Sequence, residues 1–310
     1  MRRPLNLVWP RPILEHVLEG YFIKEVLLAE VGRPIRTIVV EPNAPFPLIN
    51  DALIVSFGAR LSAYLREARS QGCVNIGLLH MADERGVDDL SFYGSVDYVL
   101  RHYWFEHRLI PPPHSLGVIW VPNGYRTGIG PIMPQTMLTT AERTIMGFFS
   151  GALKGRLFGD ERQQMIRAIQ SRQLPFLVNE TPGFAQGLGP VAYAAYLSMS
   201  RFGLAPSGDS PETIRLYEVL EAGAIPIIIK SPFVIASGAL GNPPFVALDN
   251  WSELPAFYAP YSDAMAPKVI GEIEGRRQDV YKWWCRFKAL QQRRVKELID
   301  RSFARTYGDE

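Results

Sequence analysis

The 310-residue sequence lacks the features by which several large classes of protein are recognised. Its two cysteines, Cys73 and Cys285, are too few for a disulfide framework or a cysteine-rich zinc site, and we expect both thiols to be reduced. Basic residues number 33 against 31 acidic ones, and a net charge of +2 gives no sign of a nucleic-acid partner. The composition leaves ordinary globular enzymes and binding proteins to consider.

Long apolar runs are also missing. No stretch of 18 or more residues is continuously apolar, so the sequence predicts no membrane-spanning helix. Near the start, Pro4, Pro10, Pro12 and Glu15 interrupt the apolar core that a secretion signal requires. We therefore expect a mature, cytoplasmic chain.

Short apolar runs, by contrast, recur through the first half of the chain. They are continuous rather than alternating, which is typical of strands covered on both faces of a parallel sheet. Helices are predicted between some of them, at 13–31 and 59–71, and this alternation predicts an α/β fold. The runs occupy residues 5–9, 36–42, 52–58, 74–81, 97–104 and 117–124.

A turn-rich segment at 126–137 has the composition of a linker, and the α/β pattern restarts after it. The chain is long enough for two domains of roughly 150 residues each. We predict two Rossmann-like domains, 1–135 and 136–272, facing a cleft in which ligands lie outside the carboxyl ends of the strands. The second set of elements comprises apolar runs at 145–151, 174–180 and 243–250 and helices at 159–172 and near 190–200.

The last part of the chain, 273–310, is predicted to form one long amphipathic helix that packs back across the domains. Apolar side chains recur from Ile273 to Arg305 with a period close to 3.6. The same stretch carries ten basic residues against four acidic ones. A solvated basic face is the simpler interpretation, and weak contact with a membrane surface is the alternative.

The stretch RFGLAPSGDSPETIRLYEVLEAGAIPIIIK (201–230) combines a strand, a small polar loop, a helix and a second strand. Ser210 is predicted as the N-cap of the helix, with Pro211 as its first residue. The helix end, Ser207, Gly208 and Ser210 would then present N–H and hydroxyl donors to an anion, most naturally a diphosphate. The alternative is a capped helix that only supports the core.

The helix of this stretch carries two glutamates. Glu218 is predicted opposite the packed face, near Arg215, where its carboxylate can accept the hydroxyls of a ribose. Glu221 lies nearer the end of the helix and is expected to face solvent. The side chains predicted to pack on the sheet are Leu216, Val219 and Leu220, with Gly223 beside them.

This stretch is similar to a motif of a known protein family. RLYEVLEAGAIPIII resembles the C-terminal signature of the exostosin-like glycosyltransferases. That resemblance implies the two-domain GT-B fold, a strand–loop–helix that binds a nucleotide diphosphate-sugar, and a ribose-binding role for Glu218. One position departs from the pattern, because many relatives have an arginine where Ser207 stands.

The resemblance extends over roughly residues 74–305. GNPPFVALDNWSELPAF (241–257) and the segment 276–303 are similar to the tail of the ribitol xylosyltransferase branch, and IGLLHMADERGVDDL resembles the family's N-domain stretch. The branch implies inverting transfer from a UDP-sugar, with xylose as the sugar. It also implies a glycan or polyol-phosphate acceptor and a place in surface polysaccharide synthesis.

Such a transfer needs positive groups for the departing diphosphate. The chain has no Asp-x-Asp, which argues against a bridging metal, and we expect no metal and no cofactor beyond the donor. Lys154 and Arg156, after the first strand of the second domain, can supply charge, although they also fit ordinary surface cations. Arg215 can reach the diphosphate or pair with Glu218.

Inverting transfer also needs a general base near the acceptor hydroxyl. His80-Met-Ala-Asp83-Glu84 follows an apolar strand directly, so these side chains are predicted at its carboxyl end. Glu84 is preferred for its longer reach, then Asp83, then His80; loop or capping roles are the alternative.

Two other function classes compete with the transferase. A non-catalytic, transferase-like subunit that binds a glycan or a partner enzyme is favoured slightly by Ser207, while Glu218 argues against it. A nicotinamide-dependent oxidoreductase shares the α/β pattern, but no early strand is followed by Gly-x-Gly-x-x-Gly.

Overall fold

The computed structural model describes residues 2–58, 61–81, 83–153, 159–183, 186–235 and 237–308. The chain divides into two compact units, Met1–Asn123 with Lys288–Glu310, and Gly124–Phe287. The sequence places the divisions after residues 135 and 272 instead. Among the described residues, no helix combines the length and the apolar character needed to cross a membrane.

The first unit contains one sheet of six parallel strands. These are β1 (Leu5–Pro10), β2 (Ile35–Val40), β3 (Asp51–Ser56), β4 (Asn75–His80), β5 (Tyr98–Arg101) and β6 (Val118–Trp120). The strand order is β2-β1-β3-β4-β5-β6. Every residue of β3 and β4 is buried, as expected for continuous apolar runs covered on both faces.

Helical structure in the first unit is shorter than the sequence predicts. The expected helix at 13–31 is replaced by α1 (Arg11–Leu14) and a separate π-helical turn at Phe22–Leu27. Residues 15–19 are not helical, and helical structure resumes at Gly20. The second predicted helix is present as α2 (Leu61–Ser70).

The second unit contains a sheet of five parallel strands. They are β7 (Ile145–Gly151), β8 (Phe176–Glu180), β9 (Ser200–Leu204), β10 (Ile225–Ile229) and β11 (Val246–Leu248). Their order is β11-β10-β9-β7-β8, so the chain crosses over between β8 and β9. The helices are α3 (Gly159–Ser171), α4 (Pro190–Ser198), α5 (Ile214–Glu221), α6 (Leu254–Tyr258) and α7 (Pro267–Tyr307).

Helix α7 is the predicted long C-terminal helix, at 41 residues. Trp284, near its middle, is completely buried in the second unit, while Leu298 and Phe303 are completely buried in the first. Near its end, the Ser302 hydroxyl donates to Asn75 Oδ1 on β4 at 2.6 Å. The helix therefore supplies core residues to both units.

The α/β class is confirmed by this architecture. Both sheets are entirely parallel, and helices follow strands along each unit. Two parallel α/β units and a long C-terminal helix are the composition of the GT-B fold.

Candidate functional site

The loop between β9 and α5 differs from the predicted capped helix. Helix α5 begins at Ile214, with Thr213 before it, and the predicted cap Ser210 and Pro211 lie outside it. The chain forms a turn there. The Ser210 hydroxyl accepts a hydrogen bond from the N–H of Glu212, and the Glu212 carboxylate accepts one from the Tyr217 hydroxyl at 2.8 Å. This turn delays the start of the helix.

Two of the loop amides bond within the protein. The Ser207 N–H donates to Glu161 Oε1 at 2.9 Å, and the Gly208 N–H donates to the Ser210 carbonyl at 3.0 Å. The Trp251 indole N–H donates to the same Glu161 oxygen at 3.1 Å. In this arrangement the loop offers an anion fewer amide donors than the sequence predicts.

Positive charge beside the loop comes from two arginines. Arg162 Nε donates to the Ser207 carbonyl at 3.1 Å, and its Nη1 donates to the Ala152 carbonyl at 2.7 Å. Arg215 donates through Nε and Nη2 to the carbonyl of Ser150, near the end of β7, at 3.2 and 2.8 Å. Both guanidinium groups are therefore held by neutral carbonyls at the carboxyl ends of strands.

The two arginines also repel one another. Burial, followed by the positive charge of Arg215, lowers the pKa of Arg162 to about 10, while Glu161 and Asp209 act in the opposite sense. Neighbouring like charges that are partly buried favour the arrival of an anion. The sequence does not identify Arg162 as a candidate, because an arginine in a predicted helix has no feature that distinguishes it from a surface cation.

Two glycines leave room for these side chains. A Cβ on Gly151 would lie 2.3 Å from Arg215 Nη2, and one on Gly208 would lie 3.3 Å from Arg162 Nη2. Gly208 thus permits a close approach, but by a guanidinium group of the protein itself.

Glu218 is buried, with 2% of its surface exposed. Every residue from Leu216 to Glu221 is buried, so the expectation that Glu218 lies off the packed face is wrong. Its Oε1 accepts Arg126 Nε at 2.7 Å, and that guanidinium lies 4.9 Å from the centre of the Tyr193 ring. Arg126 precedes Glu218 by 92 residues in the chain, so the sequence alone does not predict that the two are paired.

Glu221 does not face solvent, contrary to the prediction. Only 2% of its surface is exposed, because it lies beneath α7 and the segment at Ile132. Its Oε2 accepts the Trp284 indole N–H at 2.8 Å, and Oε1 accepts the Ile132 N–H at 3.1 Å. Two donors from other elements explain why a carboxylate is tolerated there, and they give Glu221 a structural role.

Lys154 and Arg156, the other cations named from the sequence, lie outside the described residues.

In the first unit, His80 ends β4 and is completely buried. Its Nδ1 lies 2.8 Å from the Tyr93 hydroxyl, and its Nε2 lies 3.6 Å from Asp88 Oδ2. Burial, followed by the positive charge of Arg101, lowers the pKa of His80 to about 4. The ring is therefore neutral near pH 7 and enclosed by the protein.

The Asp83 carboxylate is fully occupied. It forms an ion pair with Arg101 at 2.6 Å in which neither side chain is exposed, and its Oδ1 accepts the N–H groups of Val87 and Asp88 at 2.5 and 2.8 Å. Burial raises the pKa of Asp83, but the hydrogen bonds from Asp88 and Arg101 outweigh it, so the pKa is lowered. These contacts leave the carboxylate poorly placed to accept a proton.

Glu84 is the exposed member of the set. Its Oε1 accepts the hydroxyl of Tyr103 at 3.0 Å. Of the three residues proposed as general base, Glu84 is the one whose surroundings leave it open to solvent. Over the described ranges, no three His, Cys, Asp or Glu side chains are grouped so that they could hold a metal ion.

Comparison with known proteins matches residues 95–268, more than half of the chain, to the exostosin GT47 domain. Ribitol-5-phosphate xylosyltransferase 1 from Danio rerio is 27% identical over 122 residues. That alignment covers 36% of this chain and 27% of the relative, so the chain matches about a quarter of the relative's length.

Two solved structures are similar at lower identity. Sucrose-phosphate synthase from Thermosynechococcus elongatus is 12% identical, covers 98% of this chain and 100% of its own, and has a TM-score of 0.49. A crystal structure of the GtfA/B complex is 11% identical, covers 80% of this chain and 57% of that chain, and has a TM-score of 0.46.

Proposed function

Because the chain belongs to the exostosin GT47 family, we propose that it transfers a sugar from a UDP-sugar to a hydroxyl of a glycan or polyol-phosphate acceptor. The observation that carries the proposal is the grouping on and beside α5 in the second unit. There a buried glutamate, Glu218, occurs on the same helix as Arg215, which repels Arg162. A carboxylate suits a ribose and guanidinium groups suit a diphosphate.

Glu218 fits the ribose role through its fixed position. Arg126 holds one carboxylate oxygen at 2.7 Å, and every residue of the helix from Leu216 to Glu221 is buried. A carboxylate that is already oriented loses little entropy when it accepts hydroxyl groups. The ion pair also balances the charge of Glu218 before a ligand arrives.

Arg162 and Arg215 fit the diphosphate role as two neighbouring positive charges, and Glu161 and Asp209 offset part of the charge at Arg162. Their partners Ser207, Ala152 and Ser150 contribute neutral carbonyl oxygens, which orient a guanidinium but do not cancel its charge. An anion of charge −2 or more would relieve their repulsion, and a fixed cation stabilises the diphosphate as it departs.

The proposal also includes the donor sugar, the acceptor and the stereochemistry of the transfer. The relative from Danio rerio bears the name of a ribitol-5-phosphate xylosyltransferase, which favours xylose and a polyol phosphate. A place in surface polysaccharide synthesis is part of the proposal. We place Glu84 as the base of an inverting transfer. A cytoplasmic location is supported by two cysteines that are both free.

A non-catalytic role is the second candidate. It is favoured by the Ser207 and Gly208 N–H groups, which are already bonded within the protein, and by Glu218, which is already paired with Arg126. Such a subunit would bind a glycan or an enzyme but release no UDP from a sugar nucleotide.

Release of UDP from UDP-xylose, UDP-glucose, UDP-galactose and UDP-N-acetylglucosamine tests the proposal, with ribitol 5-phosphate or water as acceptor and EDTA present throughout. We expect turnover of at least one donor, and a loss of donor affinity of about tenfold or more in Glu218→Gln, because hydrogen bonds to a charged carboxylate are replaced by weaker ones.

Glu221→Gln is the matched control, since this glutamate lies on the same helix and is equally buried. It should lower stability but leave donor affinity within about twofold of the parent. Absence of UDP release from every donor would support the non-catalytic role. Turnover that appears only when Mg²⁺ or Mn²⁺ replaces EDTA would contradict metal independence, and an unchanged affinity in Glu218→Gln would remove the ribose role.

A further inference from the structure

The loops after β4 and β5 contain two residues with a left-handed backbone. Asp83 has φ of 74° and Tyr103 has φ of 55°. A left-handed backbone is uncommon in residues other than glycine, and a bulky side chain such as tyrosine is strained in it. It persists where surrounding contacts hold it, and such places are often functional.

The two loops start side by side. Strands β4 and β5 are parallel neighbours, and their last residues, His80 and Arg101, are paired in register. The next turns therefore leave the same edge of the sheet, and each loop reaches the other: Arg101 binds Asp83 at 2.6 Å, and Tyr103 binds Glu84 at 3.0 Å.

Asp83 organises the backbone around Glu84. Its Oδ1 closes the turn by accepting two N–H groups, from Val87 and Asp88, and its Oδ2 anchors that turn to the sheet through Arg101. The Arg101 side chain is completely enclosed and also donates to the Tyr93 hydroxyl at 3.1 Å. Such a buried ion pair fixes one geometry, since breaking it leaves an unpaired buried charge.

Tyr103 acts on the Glu84 side chain itself. Its hydroxyl donates to Glu84 Oε1. One carboxylate oxygen is thereby held, and a glutamate with several rotatable bonds loses much of its freedom. A general base gains from such restraint because the proton must be taken at one position.

We propose that Tyr103 and the Arg101–Asp83 ion pair are positioning residues that hold Glu84 as the general base, and that Asp83 is not itself the base. This rests on the proposed function. In the transfer, the acceptor oxygen bonds to the anomeric carbon as the bond from that carbon to the UDP oxygen breaks. The hydroxyl proton passes to Glu84, and the bonding electrons leave with UDP.

A double-mutant cycle with UDP-xylose and ribitol 5-phosphate tests the role of Tyr103. We expect Tyr103→Phe to lower kcat about tenfold, as for loss of one hydrogen bond to a charged group, and to leave KM for UDP-xylose unchanged. In the Glu84→Gln background the same substitution should cost nothing further, since it acts through a carboxylate that is no longer there.

Tyr64→Phe is the matched control. Within the described residues the Tyr64 hydroxyl has no hydrogen-bond partner, and its ring packs edge-on against Phe46 in the core of the first unit. This variant should turn over like the parent. Asp83→Asn should lower kcat with KM unchanged; where it fails to fold, the Tyr103 cycle decides alone.

Independent, additive effects of Tyr103→Phe and Glu84→Gln would overturn the proposal while leaving the transferase function in place. So would a Tyr103→Phe variant with the kcat of the parent. A parent that releases no UDP would contradict the proposed function, and the assignment of Glu84 as a base would fail with it.

Discussion

Glu218 and Glu221 are one helical turn apart, equally buried, and surrounded by different chemistry. Glu221 accepts neutral N–H groups from Trp284 and Ile132, whereas Glu218 is paired with the charged Arg126. A similar contrast separates Asp83, enclosed with Arg101, from the exposed Glu84. At this scale, the partners distinguish Glu218 from Glu221, and burial distinguishes Asp83 from Glu84.

The buried histidines of the first unit make its stability depend on pH. Burial lowers the pKa of His80 to about 4 and that of His102 to about 3, against about 6.5 in the unfolded chain. Below pH 6.5 the unfolded chain binds protons that the folded protein does not, so stability falls as pH falls. Groups facing His80 are Tyr93, Phe92, Arg101, Asp83 and Asp88.

We expect the free energy of unfolding to fall by about 1 kcal/mol per buried histidine between pH 7 and pH 5.5. Urea unfolding at the two pH values measures this decrease. In His80→Gln the free energy of unfolding should decrease by about 1 kcal/mol less than in the parent, because one buried histidine is gone. A variant with the same pH dependence as the parent would show that His80 is not buried in its neutral form.

Single residues were predicted unevenly from the sequence, for physical reasons. The sequence can single out Glu218 as a candidate because a helix after a small polar loop is a local pattern. Its partner Arg126 and the additional cation Arg162 depend on contacts that the fold creates over long separations. The enclosure of Glu221 depends on Trp284, 63 residues away, so its position near a helix end gave the wrong expectation.

Among the elements, α5 and β9 approach closely because Gly203 has no side chain. A Cβ on Gly203 would lie 2.3 Å from Val219 Cγ2 on α5. Both residues are buried, with Val219 completely enclosed. The position of Glu218, one residue before Val219, thus depends on a glycine in the neighbouring strand.

We expect Gly203→Ala to destabilise the protein by about 1–3 kcal/mol, because the added methyl group displaces α5 from the sheet. UDP affinity should fall with it, since the displaced helix carries Glu218. Adding Val219→Ala should recover part of both losses by returning the volume. Urea unfolding and UDP titration measure the effects, and a double variant no better than the single one would contradict this packing.

Strands were predicted closely and helix boundaries less well. Continuous apolar runs identify buried parallel strands, and β7 coincides with its predicted run at 145–151. The start of α5 was missed because a turn closed by Ser210 and Glu212 competes with the helix. The predicted helix at 13–31 is interrupted at 15–19, and apolar spacing alone does not show such a break.

At the scale of the whole chain, the candidate residues form two groups, one in each α/β unit. The second unit contains Glu218, Arg126, Arg162 and Arg215, and the first contains the loop with Glu84. The family match at 95–268 includes the first group and ends before most of α7. The proposed function therefore depends most on donor binding, which can be measured directly on the intact chain.

Calorimetric titration of uridine, UMP and UDP into the full chain, with EDTA present, measures donor binding most directly. We expect affinity to rise with each phosphate, with UDP at least tenfold tighter than uridine, or about 1.4 kcal/mol. Arg162→Met should lose most of that advantage while binding uridine as the parent does, because it removes charge beside the loop and leaves Glu218 unchanged. Equal affinities for uridine and UDP in the parent, or no binding of either, would contradict the account.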